Sequence, residues 1–144
     1  MLSVHDLLRN KGNQIWAVSP DTSVQDALNE MTEKNVGALI VLEGGALAGI
    51  ISERDFIHRI AKDKACNLHT SIRDYMTTEV ITVTPTNTIQ DCMEIMTNRR
   101  IRHLPVMKDN ELVGLISIGD VVKGIISEQG DLIDNLEKYI TGKR

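Results

Sequence analysis

Apolar positions along this chain follow two rhythms, and the same succession of rhythms occurs twice. Val24, Ala27, Leu28 and Met31 recur at three- and four-residue spacing, which lines one face of a helix over 23–34. An unbroken apolar run over 38–42 follows, the pattern of a strand covered on both faces. Glu43-Gly44-Gly45 turns the chain, and 47–52 returns as an antiparallel strand. Phe56, Ile57 and Ile60 then resume helical spacing to about Ala61. The second block starts with Ile89, Cys92, Met93 and Met96 on a helix over 88–99. It continues with strands over 103–107 and 112–117 about a Lys108-Asp109-Asn110 turn. It closes with Ile118, Val121, Val122, Ile125 and Ile126 on a helix over 118–128.

Short elements precede each block. Val4, Leu7 and Leu8 predict a leading helix ended by Gly12, and 71–76 predicts its counterpart. Short strands over 15–18 and 80–83 are each stopped by a proline, Pro20 and Pro85. Gly130 is expected to break the helix before it, and Leu132, Ile133, Leu136 and Ile140 predict a last amphipathic helix over 131–140.

Sliding 18–58 onto 83–123 needs no gap and gives thirteen identities over 41 positions, so the chain is a tandem duplication. Each copy reads β-α-β-β-α. One copy has too few strands to bury its apolar surface alone. The expected fold is therefore α/β (α+β), two pseudo-twofold-related repeats packed into one unit. The boundaries read 1–70 for the first repeat with its leading helix, 71–129 for the second, and 130–144 for the C-terminal amphipathic helix. The wide stripe on 118–128 predicts a homodimer.

The two copies share Gly49-Ile50-Ile51-Ser52-Glu53-Arg54-Asp55 and Gly114-Leu115-Ile116-Ser117-Ile118-Gly119-Asp120. Ser followed three residues later by an acid predicts a strand-to-helix junction closed by a capping box. Thr22-x-x-Gln25 and Asn87-x-x-Gln90 predict two more boxes.

Composition narrows the function classes. The net charge is −4, which argues against nucleic acid, whose phosphates need a basic surface. Aromatic content is 3%, so the core is aliphatic with six methionines filling gaps. No apolar run approaches the roughly 18 residues of a spanning helix, and the N-terminus lacks the pattern of a signal peptide. Cys66 and Cys92 stand apart from other ligand residues, and His5, His58, His69 and His103 show no metal-ligand spacing. A cytoplasmic protein without membrane, metal or disulfide is expected. Residues 18–58 carry seven acids and two bases, whereas 83–123 carry five of each, with Arg99, Arg100 and Arg102 clustered. That cluster is either a solvated helix end or a place for an anion. No Gly-x-Ser-x-Gly elbow is present, and Asp120 follows Gly114–Gly119 where a phosphate-binding loop needs Lys. No enzyme is expected.

With Val18-Ser19-Pro20, Val83-Thr84-Pro85, Arg73-Asp74-Tyr75-Met76-Thr77, Arg102-His103-Leu104-Pro105-Val106 and the two Gly-to-Asp motifs in fixed order, the chain resembles a tandem pair of cystathionine-β-synthase-type (CBS) domains, the Bateman module. The resemblance covers 4 to about 128. It implies a stand-alone regulatory module, an energy sensor that binds AMP, ADP, ATP or NAD/NADH in clefts between the repeats and signals to a partner protein. The alternative is a ligand-free interaction and dimerisation scaffold. On the resemblance, Asp55 and Asp120 take the ribose hydroxyls; otherwise both only complete caps with Ser52 and Ser117. Ser52, Ser117 and the adjoining helix N–H groups suit phosphate oxygens. Arg54, Arg102 and His103 are candidate phosphate ligands, and Thr84 is a further ligand-binding candidate from the Val83-Thr84-Pro85 motif. Val18, Ile40, Val83 and Pro105 flank the base or are plain core. Gly37 and Ala38 stand in the first repeat where the second has Arg102 and His103, which places the phosphate end mainly on the second repeat.

Overall fold

The computed structural model describes residues 1–12 and 14–141. Its elements are α1 (Val4–Lys11), β1 (Ala17–Val18), α2 (Val24–Lys34), β2 (Ala38–Glu43), β3 (Ala46–Ser52), α3 (Glu53–Asp63), a 3₁₀ turn (Ile72–Asp74), α4 (Ile89–Arg99), β4 (His103–Lys108), β5 (Glu111–Ser117) and α5 (Ile118–Thr141). The mixed helix-and-sheet architecture is the one the duplication predicts.

The chain divides into two compact units. One contains residues 14–81; the other combines the N-terminal residues with everything from 82 onward. In the first, β1 pairs parallel with β2 and β2 antiparallel with β3. Val24, Ala27 and Met31 of α2, Leu39 and Val41 of β2, Ile51 of β3, Phe56 of α3 and Ile72 form its core. In the second, β4 pairs antiparallel with β5, and Val4, Ile89, Leu104, Val106, Ile116 and Val121 are fully buried. Both hairpins carry a register irregularity at the duplicated place, after Val41 and after Val106.

The structure departs from the sequence expectation in several places. The leading helix packs not with the first repeat but with the second: Val4 N–H donates to the Asn87 carbonyl, and Ser3 bridges Thr88 at the start of α4. Reciprocally, the 3₁₀ turn packs with the first repeat, where Ser71 bridges Ser23 and Ile72 N–H donates to the Thr22 carbonyl. The strand expected over 80–83 contracts to one bridge, Val83 to Val106. Two caps slip by one residue. Ser23 rather than Thr22 caps α2, and Thr88 with Asp91 rather than Asn87 with Gln90 closes the box on α4. On α4 the Asp91 carboxylate, a stronger acceptor than the Gln90 amide beside it, takes Thr88 N–H, whereas on α2 the Ser23 hydroxyl alone caps, accepting from Asp26 N–H. Ile57, expected inward, is exposed. Finally, α5 runs unbroken through Gly130, because each helix-interior glycine costs only about 1 kcal/mol and no proline follows.

Cys92 is the buried core thiol expected, and burial pushes it up to about 11, with Asp91 adding to the effect. Among the described residues no helix is long and apolar enough to cross a membrane.

Candidate functional site

Each unit builds the same corner where a hairpin strand turns into a helix. In the 14–81 unit, β3 ends at Ser52, which caps α3: its hydroxyl accepts from Asp55 N–H, and Asp55 Oδ2 accepts from Ser52 N–H at 2.8 Å. Ser52 stands opposite Ala38, and Glu53 N–H donates to the Gly37 carbonyl. In the other unit β5 ends at Ser117, whose N–H donates to Asp120 Oδ2 at 2.8 Å. Ser117 stands opposite His103, and Ile118 N–H donates to the Arg102 carbonyl. The duplication thus places Arg102, His103, Ser117 and Asp120 at one corner, and Gly37, Ala38, Ser52 and Asp55 at its counterpart. Arg54 is an exposed residue of the first turn of α3, next to Asp55.

The apolar candidates separate. Ile40 is fully buried in β2 and Val83 is nearly so. Pro105 is buried in β4 opposite Leu115, and its carbonyl accepts from Val83 N–H, which makes Val83 and Pro105 neighbours. Val18 is half-buried beside Val41. Thr84 is exposed, and its hydroxyl contacts those of Thr86 and Asn87 Oδ1 in the turn before α4.

Two residues to which the sequence assigned no role close the corners. Thr77 donates its hydroxyl to Asp55 Oδ1 at 3.1 Å and its N–H to the Ile50 carbonyl at 2.8 Å. In the other unit Lys11 Nζ reaches Asp120 Oδ2 and the Leu115 carbonyl, each at 2.7 Å. Burial alone would raise the Asp120 carboxyl, but Lys11 and the Ser117 N–H and hydroxyl outweigh it and hold it below the usual carboxylate range. Thr77 lies within a motif quoted above, so its position was visible. Lys11 is 109 residues from Asp120, and nothing local announces the pair.

Chemically, each corner offers a fixed carboxylate with acceptor capacity, next to helix N–H groups and a serine hydroxyl. Among the described residues no cluster of His, Cys, Asp or Glu could hold a metal ion.

The CBS domain family matches residues 4–62 and 72–127. The mitochondrial CBS domain-containing protein CBSX3 of Arabidopsis thaliana is 41% identical over 97% of this chain and 72% of its own length. The CBS domain-containing protein YhcV of Bacillus subtilis is 31% identical over 94% of this chain and 96% of its own. Among solved structures, a CBS-domain-containing protein from Agrobacterium tumefaciens superposes with a TM-score of 0.82 at 39% identity, covering 85% of this chain and 98% of that one. CBSX2, solved in complex with AMP, superposes with a TM-score of 0.71 at 26% identity, covering 90% and 99%. With two matched repeats filling most of its length and a duplicated fold to go with them, this chain belongs to the CBS domain family, as a CBS-domain pair.

Proposed function

We propose that this protein is a non-catalytic regulatory module that binds an adenine nucleotide at one or both serine–aspartate corners and passes its occupancy to a partner protein. The observation that carries the reading is the pair of carboxylates at duplicated helix N-termini. In this reading each carboxylate, held by its serine N–H, accepts the ribose hydroxyls, and the adjoining first-turn N–H groups suit anionic oxygens. The AMP complex of CBSX2 supports it. The candidate ligands are AMP, ADP, ATP and NAD or NADH. Arg102 gives the Asp120 corner a cation with His103 beside it, and Arg54 serves the Asp55 corner.

Titration calorimetry against that panel tests the reading. Micromolar binding of at least one member is expected; silence across the panel leaves the interaction scaffold. Product chromatography after long incubation should show no turnover.

The module acts as a homodimer in this reading. Val122, Ile126, Ile133, Leu136 and Ile140 recur at three-, four- and seven-residue spacing along α5 and all are exposed, with Ile126 at 63% and Ile133 at 54%. Such a stripe in water is unusual for a monomer. Sedimentation equilibrium at micromolar concentration should give twice the chain mass; a 16 kDa species overturns the dimer. The compartment proposed is the cytoplasm, although the Arabidopsis relative is named as mitochondrial; cell fractionation decides it.

A further inference from the structure

The two corners are closed by groups of different kinds. At the Asp55 corner the closing group is main chain: Thr77 N–H donates to the Ile50 carbonyl, Ile50 N–H donates to the Thr77 carbonyl, and the Thr77 hydroxyl caps the carboxylate. At the Asp120 corner one ammonium does both jobs. Leu115 is the duplicate of Ile50 and Asp120 of Asp55, and Lys11 Nζ serves both of them. A main-chain bridge cannot leave without undoing the strand edge. An ammonium on a four-carbon stem can swing away, because a partly exposed ion pair is worth only about 0–1 kcal/mol. The Lys11 side chain is 34% exposed and that of Asp120 16%.

Asp120 Oδ2 already accepts from Ser117 N–H, the Ser117 hydroxyl and Lys11. A ribose diol arriving with two donors competes with the one that moves most easily, Lys11. If the ligand is a neutral nucleoside, the displaced ammonium gains only water. If the ligand carries a phosphate, the ammonium exchanges a carboxylate for a second anion and forms a charge-assisted bond.

Building on the adenine-nucleotide reading above, we propose that Lys11 is the specificity-determining residue of the Asp120 corner. It is a displaceable counter-ion that makes this corner prefer a nucleoside phosphate to the neutral nucleoside. Among the described residues no lysine stands on Asp55, whose carboxylate is closed by Thr77, so the counter-ion exchange is assigned to the Asp120 corner.

Titration calorimetry with AMP and with adenosine, on the parent and on Lys11→Gln and Lys11→Arg, tests this. Gln removes the charge and keeps an amide donor on a side chain one atom shorter; Arg keeps the charge. Asp55→Asn is included in every protein so that the Asp120 corner dominates the signal. The expected result is a preference for AMP of tenfold or more in the parent. Lys11→Gln should reduce it at least fivefold through weaker AMP binding with adenosine unchanged or tighter, and Lys11→Arg should restore it. A purely structural lysine would weaken both ligands together, and an unaltered AMP-to-adenosine ratio in Lys11→Gln overturns the proposal while leaving nucleotide binding intact. A parent that binds neither compound overturns this inference, whereas the nucleotide reading falls only if the whole panel is silent. In the same Asp55→Asn parent, the preference should also shrink as salt rises from 50 to about 500 mM, and a salt-independent ratio would contradict the proposal.

Discussion

The two halves of this molecule solve one problem in two ways. Both must close the exposed edge of a hairpin strand next to a helix N-terminus. The 14–81 unit uses the segment after the 3₁₀ turn, whose backbone pairs with β3 at Ile50 and Thr77. The other unit uses a complete helix, α1, too wide to lie as a strand, and reaches the strand with the Lys11 side chain. A duplicated site therefore keeps its carboxylate in both copies while the group that guards it changes from fixed to movable. The lesson is that equivalence of site residues in a repeat does not make the sites equivalent.

The duplicated glycines give the sharpest way to break that contrast. A Cβ on Gly49 would stand 2.5 Å from the Thr77 carbonyl oxygen, whereas one on Gly114 would meet the end of the Leu8 side chain at 2.6 Å. A side chain can turn and a paired carbonyl cannot. Gly49→Ala should cost about 3 kcal/mol and Gly114→Ala about 1 kcal/mol, at the two ends of the usual overpacking range. Urea denaturation of the two variants checks this, and equal losses would show that both edges are equally rigid.

Asp120→Asn and Asp55→Asn come next. An amide oxygen still accepts from the serine N–H, so each cap keeps most of the roughly 1 kcal/mol at stake. The ribose diol loses a charged acceptor worth about 1.5–3 kcal/mol, which is about tenfold or more in affinity. Melting without ligand should stay near the parent's, and the ligand-induced rise in melting temperature should shrink. The corner with the larger effect is the tighter site. Parental ligand shifts in both variants would leave the two acids as caps only.

Acid gives the smallest effect. Asp6 is held low by the Ser3 N–H and hydroxyl, Asp91 by the Thr88 N–H and the Asn87 side chain, and Asp120 by Lys11 and Ser117 against its burial. A carboxyl whose folded pKa is depressed contributes stability that is fully present above its unfolded value near 4. That stability is lost as pH falls through the folded value. The Lys11 closure should therefore loosen below about pH 4, whereas the Thr77–Ile50 main-chain bridge contains no titrating group. Hydrogen exchange at pH 3 and pH 6 checks this: the amides at Ser117 and Asp120 should lose more protection than those at Ile50 and Thr77.

Much of this was legible in the sequence, because the duplication is an internal alignment. Ser52 with Asp55 and Ser117 with Asp120 were visible as capping boxes, since all the partners of a cap lie within three residues. The caps at Ser23 and Thr88 were misplaced by one because each stands in a run of polar residues that can all cap. The unbroken α5 was missed because glycine lowers helix stability by less than the rest of the helix supplies. Lys11 was missed for another reason: its partner is fixed only once α1 is placed against β5, and no local pattern encodes that.

The placement of α1 also sets an order of events during synthesis. The 14–81 unit is one contiguous stretch, complete once residue 81 has emerged. The other unit needs both ends of the chain: Leu2 N–H donates to the Glu128 carboxylate, 126 residues away. At equilibrium this matters little. The 85-residue separation of the Ser3–Thr88 bridge exceeds the 48 of Ser23–Ser71 by less than a doubling, or about 0.5 kcal/mol of closure entropy. In time it matters more, because at roughly 5–20 residues per second the first helix waits several seconds for the strands it will cover. Until then Val4, Leu7 and Leu8, all buried at the end, have nothing of their own unit to pack against. A tag at the N-terminus would therefore burden the unit that finishes last, although in sequence it adjoins the one that finishes first.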